Sequence, residues 1–235
     1  MRAKSFHLTL PALLLAFAVA GCGDNTASGE AAPSTDQTPP QTAQGGEEFD
    51  ISGLGFDEGD VEDAVIQVVE FSDFGCVHCA NFHIESYPAL HEEFVATGEV
   101  AWKYIPITIA GFPNATEAAI AGECAGEQGQ FPVMRDWLYE TREEWMASND
   151  PEGIFMAQAG EMGLDQDVFE TCLTEGEAAR ARVAEGSRVA REVGVRGTPT
   201  FVVQGFPVQG APPLDQFQEA LRGMIQEARS GAGGN

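Results

Sequence analysis

The order of strand-like and helix-like segments predicts an α/β domain that is interrupted by a helical insertion. Three observations carry this prediction. A β-branched run at 65–71 precedes a helix-like run at 76–97 and a second strand-like run at 100–107. The pattern is then helical from about 112 to 193. Two short strand-like runs and an amphipathic helix complete the chain.

Residues 1–21 have the pattern of a bacterial export signal. Arg2 and Lys4 give a positive start, and the apolar core from Leu8 to Ala20 is too short to span a bilayer as a helix. The segment ends in Val19-Ala20-Gly21-Cys22, which resembles a lipobox, whose cysteine is diacylated and becomes the mature N-terminus. We therefore expect a lipid anchor at Cys22. An ordinary secretory signal, cleaved near Ala20 or later, is the alternative.

The segment at 22–48 is expected to be a disordered tether. Residues 23–48 contain no lysine, arginine or aromatic residue and are rich in Pro, Thr, Gln, Gly, Ala and Glu, so they cannot bury enough apolar surface to fold. A flexible chain of this length reaches roughly 30 Å. The remaining residues, 49–235, suit one domain that carries an insertion at about 112–193.

The first half of this domain predicts a βαβ unit. Val65 to Phe71 is almost continuously apolar, as expected of a central strand covered on both faces. The helix at 76–97 contains Pro88, so we expect a kink there, and Val100 to Ile107 forms the next strand. Phe49 to Phe56 is expected to be a first edge strand.

The second half is mostly helical. Helical spacing of apolar residues predicts five helices, at Thr116–Glu127, Phe131–Met146, Pro151–Met162, Asp165–Thr174 and Glu177–Glu192. Thr200 to Gln204 and Pro207 to Gln209 predict a hairpin around Gly205-Phe206, and Leu214 to Arg229 predicts an amphipathic terminal helix.

The charge of the chain is strongly acidic. The formal net charge is −25, from 12 basic and 37 acidic residues. Loss of Arg2 and Lys4 with the signal would make it −27, and Lys103 would be the only lysine left. Nucleic acid is therefore not expected as a partner.

Two thiols open the predicted helix at Cys76-Val77-His78-Cys79. A helix N-terminus presents free N–H groups and about half a positive charge, which favour a thiolate. Cysteines in such places have pKa values of roughly 3.5 to 7.5, against about 8.5 for a free cysteine. A second thiol three residues on can then close a reducible disulfide, so the pattern predicts thiol–disulfide chemistry.

The remaining cysteines fit an oxidising compartment. With Cys22 assigned to lipid and Cys76 and Cys79 to the motif, Cys124 and Cys172 remain as an even pair. We expect a structural disulfide between them. Two buried free thiols are the alternative.

Two segments resemble the DsbA-like thioredoxin-fold family. The run from Glu70 to Cys79, EFSDFGCVHC, is similar to the active-site entry of that family, and GVRGTPTF at 194–201 is similar to its cis-proline segment. The stretches at 118–139 and around Cys172 also resemble its helical insertion. The resemblance covers roughly 49–235 and implies a thioredoxin-like α/β fold with an inserted helical subdomain.

The resemblance implies roles for the motif residues. Cys76 would be the exposed nucleophile that forms mixed disulfides, and Cys79 the buried resolving thiol. His78 lies between them, and its imidazole would stabilise the Cys76 thiolate. Val77 replaces the proline most common there in DsbA, so the reduction potential of that enzyme does not carry over.

The resemblance assigns Thr198 and Pro199 to the segment that faces the thiols. Pro199 would follow a cis peptide bond and free the backbone of Thr198 for pairing with an extended substrate chain. Threonine before this proline also occurs in isomerases and reductases of the superfamily, which weakens a pure oxidase assignment.

Glu70 and Lys103 are predicted to form a pair below the thiols. Each lies in an otherwise apolar strand, where charges are rarely unpaired. The family has a buried acid at the position of Glu70 that relays protons to the resolving thiol. We expect Glu70, paired with Lys103, to accept the proton of Cys79; a purely structural ion pair is the alternative.

These observations predict a protein thiol–disulfide oxidoreductase without cofactor or bound metal, lipid-anchored on the extracytoplasmic side of a bacterial membrane. Its substrates would be the thiols and disulfides of exported proteins, and a membrane redox partner similar to DsbB would reoxidise it. Disulfide formation is the leading direction. The alternatives are reduction or isomerisation by the same fold, and a module that binds Cu(I) or Zn(II) through Cys76, Cys79 and His78.

Overall fold

The computed structural model describes residues 7–9 and 48–232. Cys22, nearly all of the predicted signal and the predicted tether up to residue 47 lie outside these residues. Of the signal, only β1 (His7–Thr9) is described, and it pairs antiparallel with β2 (Glu48–Asp50). The expected strand from Phe49 to Phe56 is wrong, because Asp50 Oδ1 accepts a hydrogen bond from the Ser52 amide and turns the chain.

A five-stranded mixed sheet forms the centre of the domain. Its strands are β3 (Phe56–Glu58), β4 (Ile66–Ser72), β5 (Val100–Pro106), β6 (Thr200–Val203) and β7 (Phe206–Gln209). They lie in the order β3-β5-β4-β6-β7, and β4 runs parallel to β5 while the other neighbours are antiparallel. The sheet with its helices confirms the predicted α/β class.

The crossover between β4 and β5 is a helical segment at 77–95, here called the thiol helix. It consists of α1 (Val77–Asn81), a π-helical turn (Phe82–Ser86), α2 (Tyr87–Leu90) and a second π-helical turn (His91–Val95). The first π turn ends where the Tyr87 amide bonds to Phe82 O, directly before Pro88. The expected irregularity near Pro88 thus takes the form of widened turns.

The insertion between β5 and β6 consists of six helices among the described residues. They are α3 (Ala115–Glu127), α4 (Phe131–Glu140), α5 (Arg142–Ala147), α6 (Pro151–Glu161), α7 (Gln166–Glu175) and α8 (Glu177–Glu192). The predicted helix over 131–146 is two helices, since the chain leaves helical geometry at Thr141. Asp150 and Asp165 cap α6 and α7 through their side chains.

The hairpin and the terminal helix complete the domain. Gln204 and Gly205 both have positive φ, 50° and 85°, as a two-residue turn of type I′ requires. The turn is therefore at Gln204-Gly205, one residue earlier than predicted, and Phe206 begins β7. The final helix is α9 (Leu214–Ala232). None of the helices in 48–232 is long and apolar enough to cross a bilayer.

Three apolar cores hold these layers together. One face of the sheet packs against the thiol helix and α9 through residues such as Phe82, Leu90, Trp102 and Phe217. The other face packs against the end of α8. A third core lies inside the insertion and includes Cys76 and Cys79. The thiols therefore lie where the insertion meets the sheet.

Candidate active site

A tight turn joins the end of β4 to the thiol helix and positions the first thiol. Asp73 Oδ1 accepts a hydrogen bond from the Gly75 amide at 2.9 Å, and Asp73 O accepts one from the Cys76 amide at 2.9 Å. Arg142 Nε, at the start of α5, donates to Gly75 O at 2.8 Å. Cys76 is the residue before the first helical turn, with extended backbone angles. Its side chain is thus held at the positive end of the thiol helix.

Both thiols are free and buried. Cys76 is 5% exposed and Cys79 is fully buried, so Cys76 is less exposed than expected but remains the more accessible of the two. The pKa of Cys76 is lowered to about 5. The main cause is a hydrogen bond from the Cys79 thiol, and further hydrogen bonds come from the Thr198 side chain and from the Cys79 and His78 amides.

Cys79 has the opposite character. Burial, more than any other influence, raises its pKa well above the ordinary value, and the charge and hydrogen bond of Cys76 raise it further. A hydrogen bond with Ser72 lowers the pKa of Cys79. At neutral pH the pair therefore holds one thiolate, at Cys76, and one thiol, at Cys79. This arrangement suits attack by Cys76 and later release by Cys79.

The segment that begins β6 faces Cys76. The Thr198–Pro199 peptide bond is cis, and Cys76 Sγ lies 3.3 Å from Thr198 O. Thr198 is half-buried and Pro199 is buried. The structure therefore places Thr198 against the first thiol, with Pro199 next to it in the chain.

A groove of about 460 Å³ opens beside the thiols. The thiol helix forms one wall with His78, Phe82 and Glu85, and Thr198 and the loop 210–213 form the other. His78 and Val77 are both exposed, so His78 lies on the groove wall and acts on Cys76 through its backbone amide. Thr198, whose carbonyl oxygen lies 3.3 Å from Cys76 Sγ, also lines this groove.

Glu70 is fully buried beneath the thiols. The side chain that faces its carboxylate is His83 and not Lys103. His83 Nε2 lies 2.8 Å from Glu70 Oε1, and Trp102 Nε1 donates to Glu70 Oε2 at 2.9 Å. The Ser72 hydroxyl donates to Glu70 Oε1 as well. Burial raises the pKa of Glu70, but the charge of His83 and these hydrogen bonds outweigh it, and the net shift is downward.

The expected pair of Glu70 with Lys103 is wrong. In the register of β4 and β5, Glu70 lies opposite Tyr104 and Lys103 lies opposite Val69. Neighbouring residues of a strand point to opposite faces, so the two side chains are separated by the sheet. Lys103 is buried on the other face, where Nζ lies 2.9 Å from Asp57 Oδ1 and 3.1 Å from Leu54 O.

The sequence argument missed two residues of the site. His83 is buried four residues after Cys79. That spacing puts both on one side of a helix and could have indicated the contact. Asp73 is also buried, and its Oδ2 has no hydrogen-bond partner among the described residues. Burial is the main cause that raises the pKa of Asp73 to about 6, and the charge of Cys76 adds to it.

Cys124 and Cys172 form a disulfide that joins α3 to α7. The S–S distance is 2.03 Å and the Cα atoms are 5.7 Å apart. Both residues belong to the core of the insertion. Within the described part of the chain, no group of three or more His, Cys, Asp or Glu side chains is placed to hold a metal ion.

Comparison with known proteins gives the family. The sequence model of a family described as Thioredoxin matches residues 59–222. Among solved structures, α-DsbA1 of Wolbachia pipientis has a TM-score of 0.67 at 18% identity, over 75% of this chain and 93% of that one. Oxidised BdbD of Bacillus subtilis has a TM-score of 0.66 at 21% identity, over 75% and 95%. The chain belongs to this thioredoxin family, and its fold is DsbA-like.

A sequence relative agrees with this membership. The DsbA-like chain is 23% identical over 179 residues to a putative protein-disulfide oxidoreductase of Rickettsia bellii, covering 74% of this chain and 68% of the relative. The predicted thioredoxin-like fold and the predicted enzyme class, protein thiol–disulfide oxidoreductase, are thereby confirmed.

Proposed function

We propose that this protein forms disulfides in exported proteins through Cys76 and Cys79. The observation that carries the proposal is the pKa of Cys76, lowered to about 5 mainly by its hydrogen bond from Cys79. A stabilised thiolate favours the reduced form of the pair, which makes its disulfide a stronger oxidant. Because Cys79 is fully buried, a substrate thiolate attacks Cys76 and not Cys79.

The reaction follows from these two acidities. A substrate thiolate attacks Cys76 Sγ in the oxidised pair, the Cys76–Cys79 bond breaks, and Cys79 leaves and takes a proton. A second substrate thiolate then attacks the substrate sulfur of the mixed disulfide, and Cys76 leaves as a stabilised thiolate. The disulfide of a membrane partner restores the pair, a step in which Cys79 must lose its proton again. Glu70 is the proposed acceptor of that proton.

The substrate is proposed to bind as an extended chain. The distance of 3.3 Å between Thr198 O and Cys76 Sγ supports this, because the Thr198 backbone lies beside the first thiol. The groove between the thiol helix and the loop 210–213 extends this surface. Backbone pairing of this kind accepts many sequences, as an enzyme for diverse exported proteins requires.

We also propose the lipid anchor and the extracytoplasmic location. They rest on the export-signal pattern of residues 1–21 and on the lipobox-like run Val19-Ala20-Gly21-Cys22 in the sequence. Cells that express Cys22→Ser should release the protein from membranes and should not incorporate labelled fatty acid into it. Incorporation at wild-type level would contradict the anchor.

A refolding assay tests the direction of the reaction. The oxidised protein is mixed with a reduced, unfolded exported protein, and disulfides are counted over time. We expect one disulfide formed per equivalent of enzyme, and none with Cys76→Ser. Reduction of native disulfides by the dithiol form, with no net oxidation, would instead support the reductase that Thr198 and Val77 leave open.

A further inference from the structure

A second groove, of about 570 Å³, meets the groove beside the thiol helix at Thr198. It is here called the Arg196 groove, and it is lined by Gly194, Arg196, Gly197, Thr198, Gln209 and Gly210. Thr198 and Gly210 line both grooves. Because Thr198 O lies 3.3 Å from Cys76 Sγ, the two grooves meet beside the first thiol. The proposed function uses only the groove beside the thiol helix.

Gly197 leaves the Arg196 groove open, although the backbone does not require a glycine there. Its φ is not positive, and a Cβ atom at this position would have no other atom within 4 Å. Gly194 and Gly210, in contrast, have φ values of 84° and 76°, which favour glycine. Neither backbone strain nor crowding therefore accounts for Gly197. Because Gly197 lines the groove, a side chain in its place would narrow it.

Arg196 is the charged residue of this groove. Its side chain is exposed, and no hydrogen bond or ion pair joins it to another residue of the described chain. Exposed arginines elsewhere, such as Arg188, Arg222 and Arg229, hold glutamate side chains. The N–H donors of Arg196 are therefore available to a ligand, and their planar fork matches a carboxylate.

The groove beside the thiol helix has a different charge. Its ionisable side chains are Glu85 and His78, both of them exposed. An acidic side chain of a bound polypeptide is repelled by Glu85 in this groove and attracted by Arg196 in the other. The two grooves thus distinguish between an acidic residue on one side of the substrate cysteine and the same residue on the other side.

We propose that the Arg196 groove receives the substrate residues on one side of the reactive cysteine, where Arg196 binds an acidic side chain. The favoured substrates are exported polypeptides that carry Asp or Glu about two residues from a cysteine. Arg196 and Thr198 are two residues apart, so their Cα atoms are separated by at most about 7 Å, and two substrate residues cover the same span. The proposal rests on the proposed function, because the bound chain is the one whose thiolate attacks Cys76.

Two positional isomers of a peptide test this contact. Each has one cysteine and one Asp, which lies two residues before the cysteine in one peptide and two residues after it in the other, so both have the same net charge. Excess peptide is mixed with the oxidised protein. One peptide thiolate opens the Cys76–Cys79 bond, and a second releases the dithiol protein and a peptide disulfide. Each rate is divided by the rate of the same peptide with hydroxyethyl disulfide, which corrects for the acidity of its thiol.

We expect one isomer to react about two- to five-fold faster than the other, as for a single exposed ion pair. Arg196→Gln should slow this isomer by about that factor and leave the other unchanged. With Arg196→Glu, Lys in place of Asp on the same side should give the faster isomer. The matched control is Arg191→Gln, which should change neither rate. Arg191 is also exposed and without a partner in the described chain, but it does not line the groove.

Equal rates of the two isomers with the wild-type protein would overturn the proposal, and so would a preference that Arg196→Gln leaves unchanged. A loss that this variant shares between both isomers would also overturn it, because such a loss reflects overall charge and not a contact at one position. If the oxidised protein reacted with neither isomer, the proposed function would fail together with this proposal.

The variant Gly197→Leu tests the use of the groove itself. Leucine narrows the groove without a clash at its Cβ atom, so it should slow both peptides. The rate with mercaptoethanol, a thiol without a peptide chain, should stay the same. Peptide rates at the wild-type level would overturn the occupation of this groove. Equal slowing of mercaptoethanol and the peptides would assign Gly197 to the structure of the site and overturn it as well.

Discussion

Cys76 and Cys79 carry the same thiol three residues apart, yet their surroundings give them opposite acidities. Cys76 receives hydrogen bonds at the start of the thiol helix, and these lower its pKa to about 5. Cys79 is one turn further on and fully buried, and burial raises its pKa. The difference assigns attack to one thiol and resolution to the other.

Asp73 opposes the thiolate of Cys76. Its pKa is about 6, raised mainly by burial and further by the charge of Cys76. Above about pH 6 the two groups are both negative, so each disfavours the ionised form of the other. Because Cys76 ionises at the lower pH, the second charge forms on Asp73, and the repulsion raises the pKa of Asp73.

The variant Cys76→Ser is expected to lower the pKa of Asp73 below about 6, because it removes the thiolate whose charge raises that pKa. The measurement is the infrared carboxylic-acid band of Asp73 as a function of pH, identified by its loss in Asp73→Asn. Val77→Ser, which changes an exposed neutral residue and keeps the thiolate, should have no effect. An unchanged or raised pKa of Asp73 in Cys76→Ser would contradict the account.

The sequence predicted the residues of the site better than their contacts. Glu70 was correctly expected to be internal, because a charge in an apolar strand needs a partner. Lys103 was the wrong partner, since the pairing depends on the register of β4 and β5, which places it across the sheet. His83 lies on a helix that the sequence did predict, but its burial depends on how that helix packs on the sheet.

At the scale of elements, continuous apolar runs and cap residues predicted boundaries well. β4, β5 and α8 lie within about two residues of their predicted positions. The helix over 131–146 was not expected to break, because its apolar spacing continues through Thr141. The segment between β2 and β3 contains two glycines. Its conformation is determined by tertiary contacts and not by local strand preference.

The turn before the thiol helix depends on a close approach to Gly75. A Cβ atom at this position would lie 2.3 Å from Phe112 Cβ. We expect Gly75→Ala to lower the free energy of unfolding by about 1 to 3 kcal/mol and to slow attack by Cys76. The double variant Gly75→Ala/Phe112→Gly should recover the rate of attack, because it removes the Cβ atom of Phe112. If the single variant reacted at the wild-type rate, the turn would not position Cys76.

The disulfide between α3 and α7 is expected to stabilise the insertion without taking part in the reaction. Its cysteines are 48 residues apart, and closure of a loop of this length contributes about 4 kcal/mol in the chain-entropy model. The variant Cys124→Ala/Cys172→Ala should lose about that much in denaturant unfolding. The reduction potential of Cys76 and Cys79 should stay the same; a changed potential would contradict a purely structural role.

At the scale of the molecule, the insertion and the sheet enclose the thiols from two sides. Cys76 and Cys79 pack in the core of the insertion, while Glu70 and His83 lie at the face of the sheet beneath them. The net charge of the chain is −25, which disfavours association with acidic substrates at low salt. Thr198 lies between the groove and the first thiol.

The reduction potential of the Cys76–Cys79 pair tests the central claim most directly. The purified protein is equilibrated with glutathione buffers, and the fraction of dithiol is measured. A pKa of about 5 for Cys76 predicts a potential nearer to about −120 mV, typical of a strong oxidant, than to about −270 mV, typical of thioredoxin. A potential near that of thioredoxin would contradict an oxidase and indicate a reductant.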